Sequence, residues 1–459
     1  MSLDPILRAL ANCNPNEPLE PTDPRFVDLD DIRGMALRKD LSKLCRAADS
    51  AERYAKVAVA GHRGSGKSTE LNRAQAELEE SGYVVLWASV NENLDPREIS
   101  FSDVIRLMVL LIDDRFGQEA ASHPQVQAAF DGVRAWFQEV TKTFTDQIDS
   151  ARELGLRARI GGSAALEAGG EAGANIGAVA KGGLKFKTDL GELSAAISVI
   201  RRSEGRERTE IRETLERYNN QLVENLNSLI RAVTEVCCPG KSLVIILDNV
   251  DKYEPSMVNQ AFLRNAALFH EIDCHLVFTI QSSLLHRPVE EAVEQSFTTR
   301  VLPMIPIFQR HTRDLNPKVV GRVREAVYKR GPRDLFAGVG EVDDLVKASG
   351  GRWRDLLRLL QEAFLTADTR IGPGEVKAAV QRVGQTYQRL LRSEADLQIL
   401  AQTHLSHTIV SNEETRYLLL HLCLLPYNGE GWYDVHPLLD TYAPFQQAVQ
   451  AARAVKAPM

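Results

Sequence analysis

Gly61-His62-Arg63-Gly64-Ser65-Gly66-Lys67-Ser68 fits the pattern G-x-x-x-x-G-K-[ST] without a mismatch, and the apolar run Val57 to Ala60 leads into it. The chemistry this spacing offers is phosphate binding. Glycines permit backbone angles closed to other residues, so successive N–H groups can turn inward and form a concave nest for phosphate oxygens. Lys67 is placed to reach β and γ phosphates, and Ser68 to put its hydroxyl on Mg²⁺. Thr69 and the residues after it are expected to open a helix whose positive end faces the same anion.

A second group lies at Val244-Ile245-Ile246-Leu247-Asp248-Asn249-Val250-Asp251-Lys252. Four apolar residues predict a strand buried on both faces, with Asp248 at its C-terminal end as a Mg²⁺ ligand, the arrangement of a Walker B strand. Asn249 follows, where a glutamate would polarise an attacking water; asparagine cannot accept a proton. Asp251 is therefore the candidate base, or else it caps the loop with Lys252. Slow hydrolysis of ATP is the expectation. A third strand, His275 to Ile280, ends in Gln281-Ser282-Ser283, so Thr279 and Gln281 either hydrogen-bond a γ-phosphate or lytic water or simply terminate the strand. Arg300 enters a further strand, Thr298 to Ile307, as a surface residue or as an arginine finger toward a neighbouring subunit.

The fourth group is Ser349-Gly350-Gly351-Arg352-Trp353-Arg354-Asp355-Leu356-Leu357-Arg358-Leu359-Leu360, where a glycine pair breaks one helix and the leucines give the next an apolar face. G-[GR]-x-R-D-L at a helix start, after a phosphate loop, an acid-ended strand and a polar strand end, resembles the sensor-2 helix of AAA+ ATPases, closest to the initiator-like and STAND branches. The resemblance implies that Arg354 touches the γ-phosphate from a small helical lid, with Arg352 as its neighbour. The D-N-V-D ending is similar to the paired-acid Walker B of STAND and KAP-type proteins. G-H-R-G-S-G-K-S-T-E-L looks like a group of bacterial STAND-like ATPases, several of which serve in defence against phage. The likeness covers residues 26 to 364 apart from the insert described below.

These groups need a scaffold. The 459 residues are enough for two or three domains with their own cores, and 44% hydrophobic with 25% charged residues is ordinary for a soluble protein. A net charge of −7 argues against coating nucleic acid through bulk charge. No N-terminal apolar stretch and no membrane-length run appears, so a cytoplasmic protein is expected. Cys13, Cys45, Cys237, Cys238, Cys274 and Cys423 show no C-x-x-C spacing, which suggests neither zinc nor a disulfide framework.

Along the chain, a proline-rich lead (1–25) precedes the segment Phe26 to Leu44, where a polar start and helical spacing predict a short amphipathic helix. Arg33, with Gly34, is there either an adenine contact or part of a plain surface helix. The first part of the core (26–94) continues with a helix over Glu70 to Glu80 and a strand over Tyr83 to Val90. A mostly helical insert (95–240) separates it from the second part (241–309), because the gap is too long for an ordinary connection. Its centre, 161–183, is nearly all Gly and Ala and reads as a mobile loop or as a close-packed element ordered on assembly. A helical lid (310–371) and a winged-helix-like domain (372–459) complete the chain, the last from helices followed by a hairpin about Asn428-Gly429. The fold class expected is α/β: a P-loop ASCE-type parallel sheet with helices on both faces, a large helical insert, a helical lid and a C-terminal winged-helix-like domain.

The wing carries Glu430 and Asp434, which is poor for phosphate contact, so docking to protein is favoured over DNA. His404 and His407 sit one helical turn apart without a third ligand nearby in sequence. The expectation is an ATP- and Mg²⁺-dependent switch that assembles with itself or with a separate effector, with no membrane. The alternatives are a DNA-loading ATPase of initiator or transposition type, using the basic stretch Arg310 to Arg333, and a degenerate NTPase holding ATP as a structural ligand.

Overall fold

In the computed structural model, the Val57–Ala60 run lies inside strand β1 (Lys56–Gly61), every residue of which is buried, as its apolar content requires. The structure describes residues 4–120, 122–137, 218–285, 289–309, 312–427 and 432–456. The Gly/Ala-rich stretch 161–183, the inner parts of both arms of the insert, Arg310 and the hairpin turn 428–431 with Glu430 lie outside them. The other strands are β2 (Val84–Ser89), β3 (Leu243–Asp248), β4 (His275–Gln281) and β5 (Thr298–Val301), in the sheet order β2-β3-β4-β1-β5. β1 pairs with β5 in parallel, Val57 opposite Thr298, and β2 with β3 in parallel, Ser89 opposite Asp248. The expected strand over Thr298 to Ile307 stops at Val301: Pro303 and Pro306 lack the N–H a ladder needs.

The chain forms two compact units, one of Met1–Ala47, Val57–Ser81 and Phe278–Met459, the other of Ala48–Lys56 and Gly82–Val277. In the first, helix α1 (Pro5–Asn12) is capped by the Asp4 side chain, with Pro5 at its first turn. The proline-rich lead thus begins with a helix. The helix α2 (Leu37–Asp49) precedes β1, and α3 (Lys67–Glu80) follows the glycine loop, starting earlier than the expected Glu70. The C-terminal part holds α4 (Pro317–Tyr328), α5 (Val339–Ala348), α6 (Trp353–Thr366), α7 (Pro373–Gln388), α8 (Glu394–Ser406), α9 (Glu413–Leu420), the hairpin β6 (Leu424–Tyr427) with β7 (Trp432–Val435), and α10 (Ala443–Lys456). One apolar core runs from Ile6 and Ala9 of α1 through Leu356, Leu359 and Leu360 of α6 to Leu424, Val435 and Phe445. The expected lid and winged-helix-like regions therefore share a core, to which α1 contributes.

In the second unit, Phe101–Ala120 packs against Asn219–Cys237, the described ends of the insert's two arms. Phe269 stacks on Phe262 at 5.2 Å and meets Phe101 edge-on at 5.0 Å. At the starts of β2, β3 and β4, the Asp49 carboxylate accepts from Tyr83 Oη (2.6 Å), Ser242 Oγ (3.2 Å) and His275 Nε2 (3.0 Å). No described helix is long and apolar enough to cross a membrane.

Candidate functional site

In the first unit the glycine loop links the buried β1 to α3, whose helical turns begin at Lys67 itself. Gly64 and Gly66 take φ of 84° and 98°, the left-handed region that costs any other residue about 1–2 kcal/mol. Gly64 is also required for space, since a Cβ there would lie 2.5 Å from Arg354 Cβ. Lys67 is 5% exposed, and its ammonium donates to the carbonyls of Gly61 (2.8 Å) and His62 (2.9 Å). The His62 carbonyl also accepts from the Ser65 N–H at 3.1 Å. The loop's own oxygens thus gather the donors that a phosphate would use. Ser68 is half-buried at the first turn of α3, while the Thr69 hydroxyl accepts from the Leu19 N–H at 3.1 Å, so the lead is tied to this helix.

Three further features surround the loop. The His62 ring lies 2.9 Å from Ser282 Oγ, just past β4. A cleft beside it is lined by His62, Arg63, Gln281 and Ser282, with Leu419 and Leu422 from the end of α9 and the turn after it. Arg33 is 8% exposed; its Nη2 donates to the Ser65 carbonyl at 2.7 Å, and its Nη1 pairs with Glu70 at 3.4 Å. Burial pushes the Arg33 pKa down and the Glu70 pKa up, each opposed by the partner's charge.

The start of α6, in the expected lid, meets the same loop. Arg352 Nε donates to the Arg63 carbonyl at 2.7 Å, and the Arg354 backbone N–H to the Gly64 carbonyl at 3.3 Å. The rest of the Arg352 guanidinium is held by Asp355 Oδ2 (2.8 Å) and Tyr387 Oη (2.5 Å). Asp355 Oδ2 also accepts from Tyr387 Oη (2.7 Å) and lies 3.0 Å from His436 Nε2. Burial opposes the Asp355 charge, but Arg352, His436 and Tyr387 together hold its carboxyl well below the usual range. Of these links only the Arg352/Asp355 pair, three residues apart at the start of α6, is local in sequence. Tyr387 and His436 come from elsewhere in the chain and carry no local signal.

Of the other candidates, Asp248, Asn249 and Asp251 belong to the second unit, and Thr279, Gln281 and Arg300 to the first. Asp248 ends β3 and is 1% exposed. Asn249 has φ 64°, its N–H donates to Asp248 Oδ1 (2.7 Å) and its Nδ2 to Ser89 Oγ (2.8 Å). Asp251, 5% exposed, lies in the short turn Val250–Lys252. Along β4, Thr279 is fully buried, and Gln281 accepts from Ser283 Oγ at 3.2 Å. On β5, Arg300 pairs with Asp40 of α2 at 3.6 Å.

The described part of the basic stretch 310–333 is largely engaged within the protein. Arg313 pairs with Asp434 (3.3 Å) and Asp440 (3.1 Å), Arg322 with Glu325 and Arg324 with Asp343. Lys329 donates to the Phe26 carbonyl, and Arg330 is 7% exposed with bonds to the Arg25 and Ala326 carbonyls. Asp434 of the wing is itself 1% exposed, and His404 Nδ1 lies 2.8 Å from its Oδ1. Among the described residues, no group of three or more His, Cys, Asp or Glu is arranged to hold a metal ion. No disulfide joins the six cysteines, and burial pushes the Cys13 and Cys274 thiols up to about 12 and about 11.

No family model matches the sequence, and no curated protein matches it. Among solved structures, the Walker-type ATPase of Pyrococcus abyssi is similar at 15% identity over 89% of this chain and 95% of that one, with a TM-score of 0.40. The Orc1 protein of Aeropyrum pernix, solved in complex with DNA, is 12% identical over 98% and 97%, with a TM-score of 0.39. Cdc6p of Pyrobaculum aerophilum is 10% identical over 93% and 99%, with a TM-score of 0.35. The chain itself has an α/β P-loop fold with a helical C-terminal part.

Proposed function

We propose that this protein is an ATP-binding, slowly hydrolysing nucleotide switch of the AAA+/STAND-like kind, whose nucleotide state controls assembly with further copies of itself or with a separate effector. The observation that carries the reading is the glycine loop: a buried strand, two left-handed glycines, a lysine ammonium resting on loop carbonyls and a helix opening at that lysine. These residues fit a nucleotide phosphate chain, because the loop already orients donors that phosphate oxygens can take over. Ser68 and the buried Asp248 are oxygen donors suited to Mg²⁺, which when bound neutralises charge on the phosphates. Thr279 and Gln281 are assigned to the γ-phosphate or the lytic water, and Arg300 to a neighbouring subunit's nucleotide once it leaves Asp40.

A protein output is favoured over DNA loading because the described cations of the stretch from Arg313 to Arg330 are mostly bonded to carboxylates and carbonyls of this chain. The effector is assigned to defence against phage on the resemblance of the loop sequence to bacterial STAND-like ATPases. Sizing by light scattering with ADP, with a non-hydrolysable ATP analogue and with neither tests the reading. A change in shape or mass with the analogue is expected, and none in Lys67→Ala. Wild-type protein that binds no nucleotide overturns the proposal, and duplex binding with a steep salt dependence moves it to DNA loading.

A further inference from the structure

In a trans peptide the carbonyl of one residue and the N–H of the next point in opposite directions. Three successive peptides of the glycine loop have their carbonyls taken up by groups outside it. Arg352 Nε holds Arg63 O at 2.7 Å, the Arg354 N–H holds Gly64 O at 3.3 Å, and Arg33 Nη2 holds Ser65 O at 2.7 Å. The N–H groups of Gly64, Ser65 and Gly66 are thereby turned the other way. The Ser65 N–H, with the Lys67 ammonium, converges on the His62 carbonyl.

We infer that Arg33 and Arg352 are positioning residues of the phosphate loop, which fix its peptides in the anion-binding orientation from behind and do so before nucleotide arrives. The inference rests on the nucleotide-binding reading and concerns the same loop. Both side chains are buried, at 8% and 6% exposure, and both are anchored at the far side: Arg33 on Glu70, Arg352 on Asp355 and Tyr387. A buried guanidinium with one donor on a carbonyl and others on fixed oxygens is rigid, and its planar fork suits that double duty where a lysine's single point charge does not. The two come from either side of the loop in sequence, so the segment Phe26 to Leu44 and the start of α6 each hold one of its carbonyls. Their task differs from that assigned to the Arg354 side chain. Arg354 contributes a backbone N–H here, which Arg354→Ala retains.

Isothermal titration with ADP and with a non-hydrolysable ATP analogue tests this on wild type, Lys67→Ala, Arg352→Ala, Arg352→Lys and Arg33→Ala, beside thermal unfolding without ligand. A loop that must organise itself on binding loses affinity for both nucleotides alike, so Arg352→Ala and Arg33→Ala are expected to weaken each about tenfold. Turnover at saturation is expected to stay within about threefold of wild type while the half-saturating ATP concentration rises, and Arg352→Lys is expected to recover little. Tyr387→Phe controls for a merely structural role. It removes a buried bond of the same network but leaves Arg352 anchored on Asp355 with its Nε on the Arg63 carbonyl, so it should lower the melting temperature with wild-type affinity. Affinity lost equally in Tyr387→Phe overturns the inference, as does wild-type affinity in either arginine-to-alanine variant. Arg33→Ala perturbs different elements and decides the matter should Arg352→Ala not fold. Wild type without nucleotide binding overturns both readings, whereas binding abolished by Lys67→Ala and kept by the arginine variants overturns this one alone.

Discussion

Asn249 Nδ2 donates to Ser89 Oγ across 2.8 Å, joining the residue after the end of β3 to the end of the neighbouring β2. The same asparagine has φ 64°, a region that Asn tolerates and longer side chains do so at a cost. Backbone geometry thus accounts for asparagine where a catalytic glutamate would be looked for. Asn249→Ala loses the hydrogen bond and gains strain, together about 2 kcal/mol, and should lower the melting temperature by several degrees. A melting temperature equal to wild type would show that this turn is not held as described.

On the proposed function, Asp251 is assigned as the base in hydrolysis, since asparagine at 249 cannot accept a proton. Asp251→Asn should keep the thermal stabilisation by Mg-ATP and slow turnover by roughly a hundredfold, while Asp248→Ala should lose Mg²⁺-dependent turnover. Phosphate release from single-turnover reactions measures both. Unchanged turnover in Asp251→Asn assigns the base elsewhere.

The pH dependence of stability has an identifiable source. His275 Nδ1 accepts the Ala55 N–H at 3.0 Å, and His436 Nδ1 the Leu438 N–H at 3.2 Å, so in each ring the proton sits on Nε2, facing Asp49 or Asp355. Burial pushes both imidazole pKa values below 6.5, against the pull of those carboxylates. Below pH 6.5 the unfolded chain takes up protons the folded chain refuses, so stability falls as pH falls, by up to about 1.4 kcal/mol per pH unit for each ring. Asp355 adds to this only in stronger acid: its lowered pKa stabilises above about pH 3.8 and the gain is lost below it. Melting temperatures from pH 7.5 to 5.5 should decline in wild type and decline less in His275→Gln. Equal slopes would exclude His275 as a source.

Local sequence made the chemistry-bearing strands legible, because Val57 to Ala60, Val244 to Leu247 and His275 to Ile280 are apolar runs bounded by polar or glycine-rich turns. The helix after the loop and the hairpin Leu424–Tyr427 with Trp432–Val435 were readable for the same reason. What sequence did not show was pairing at a distance. Arg33 reads as an adenine contact or a surface residue, and its bond to the Ser65 carbonyl joins residues 32 positions apart. Asp434 reads as an acid of the wing that opposes phosphate contact, and its burial among Arg313, His404 and His407 is not legible there, since a strand pattern of four residues cannot tell which face a neighbouring helix covers.

Gly64 is the point where the loop backbone lies closest to the start of α6. Replacing it with alanine brings a methyl against Arg354 Cβ and strains a φ of 84°. Gly64→Ala should separate the lid from the loop, seen as faster hydrogen exchange in Arg352 to Leu356 without nucleotide. Wild-type protection in that segment would mean that the contact yields without moving the helix.

The last prediction concerns the Arg354 side chain. Its Cβ stands over Gly64 at the start of α6, and the backbone bond to the Gly64 carbonyl keeps that start against the loop. On the proposed function its guanidinium is assigned to the γ-phosphate, which ATP carries and ADP lacks. A charge-assisted contact of that kind is worth on the order of 1.5–3 kcal/mol, enough to shift a two-state equilibrium about ten- to a hundredfold. Arg354→Ala keeps its backbone N–H and leaves Arg352 in place, so it should bind ADP nearly as wild type does. Its shape and oligomeric state should no longer differ between ADP and a non-hydrolysable ATP analogue. Small-angle scattering in each nucleotide measures this directly. A variant that still changes shape between the two as wild type does would assign the γ-phosphate contact to another residue and leave Arg354 with the backbone bond alone.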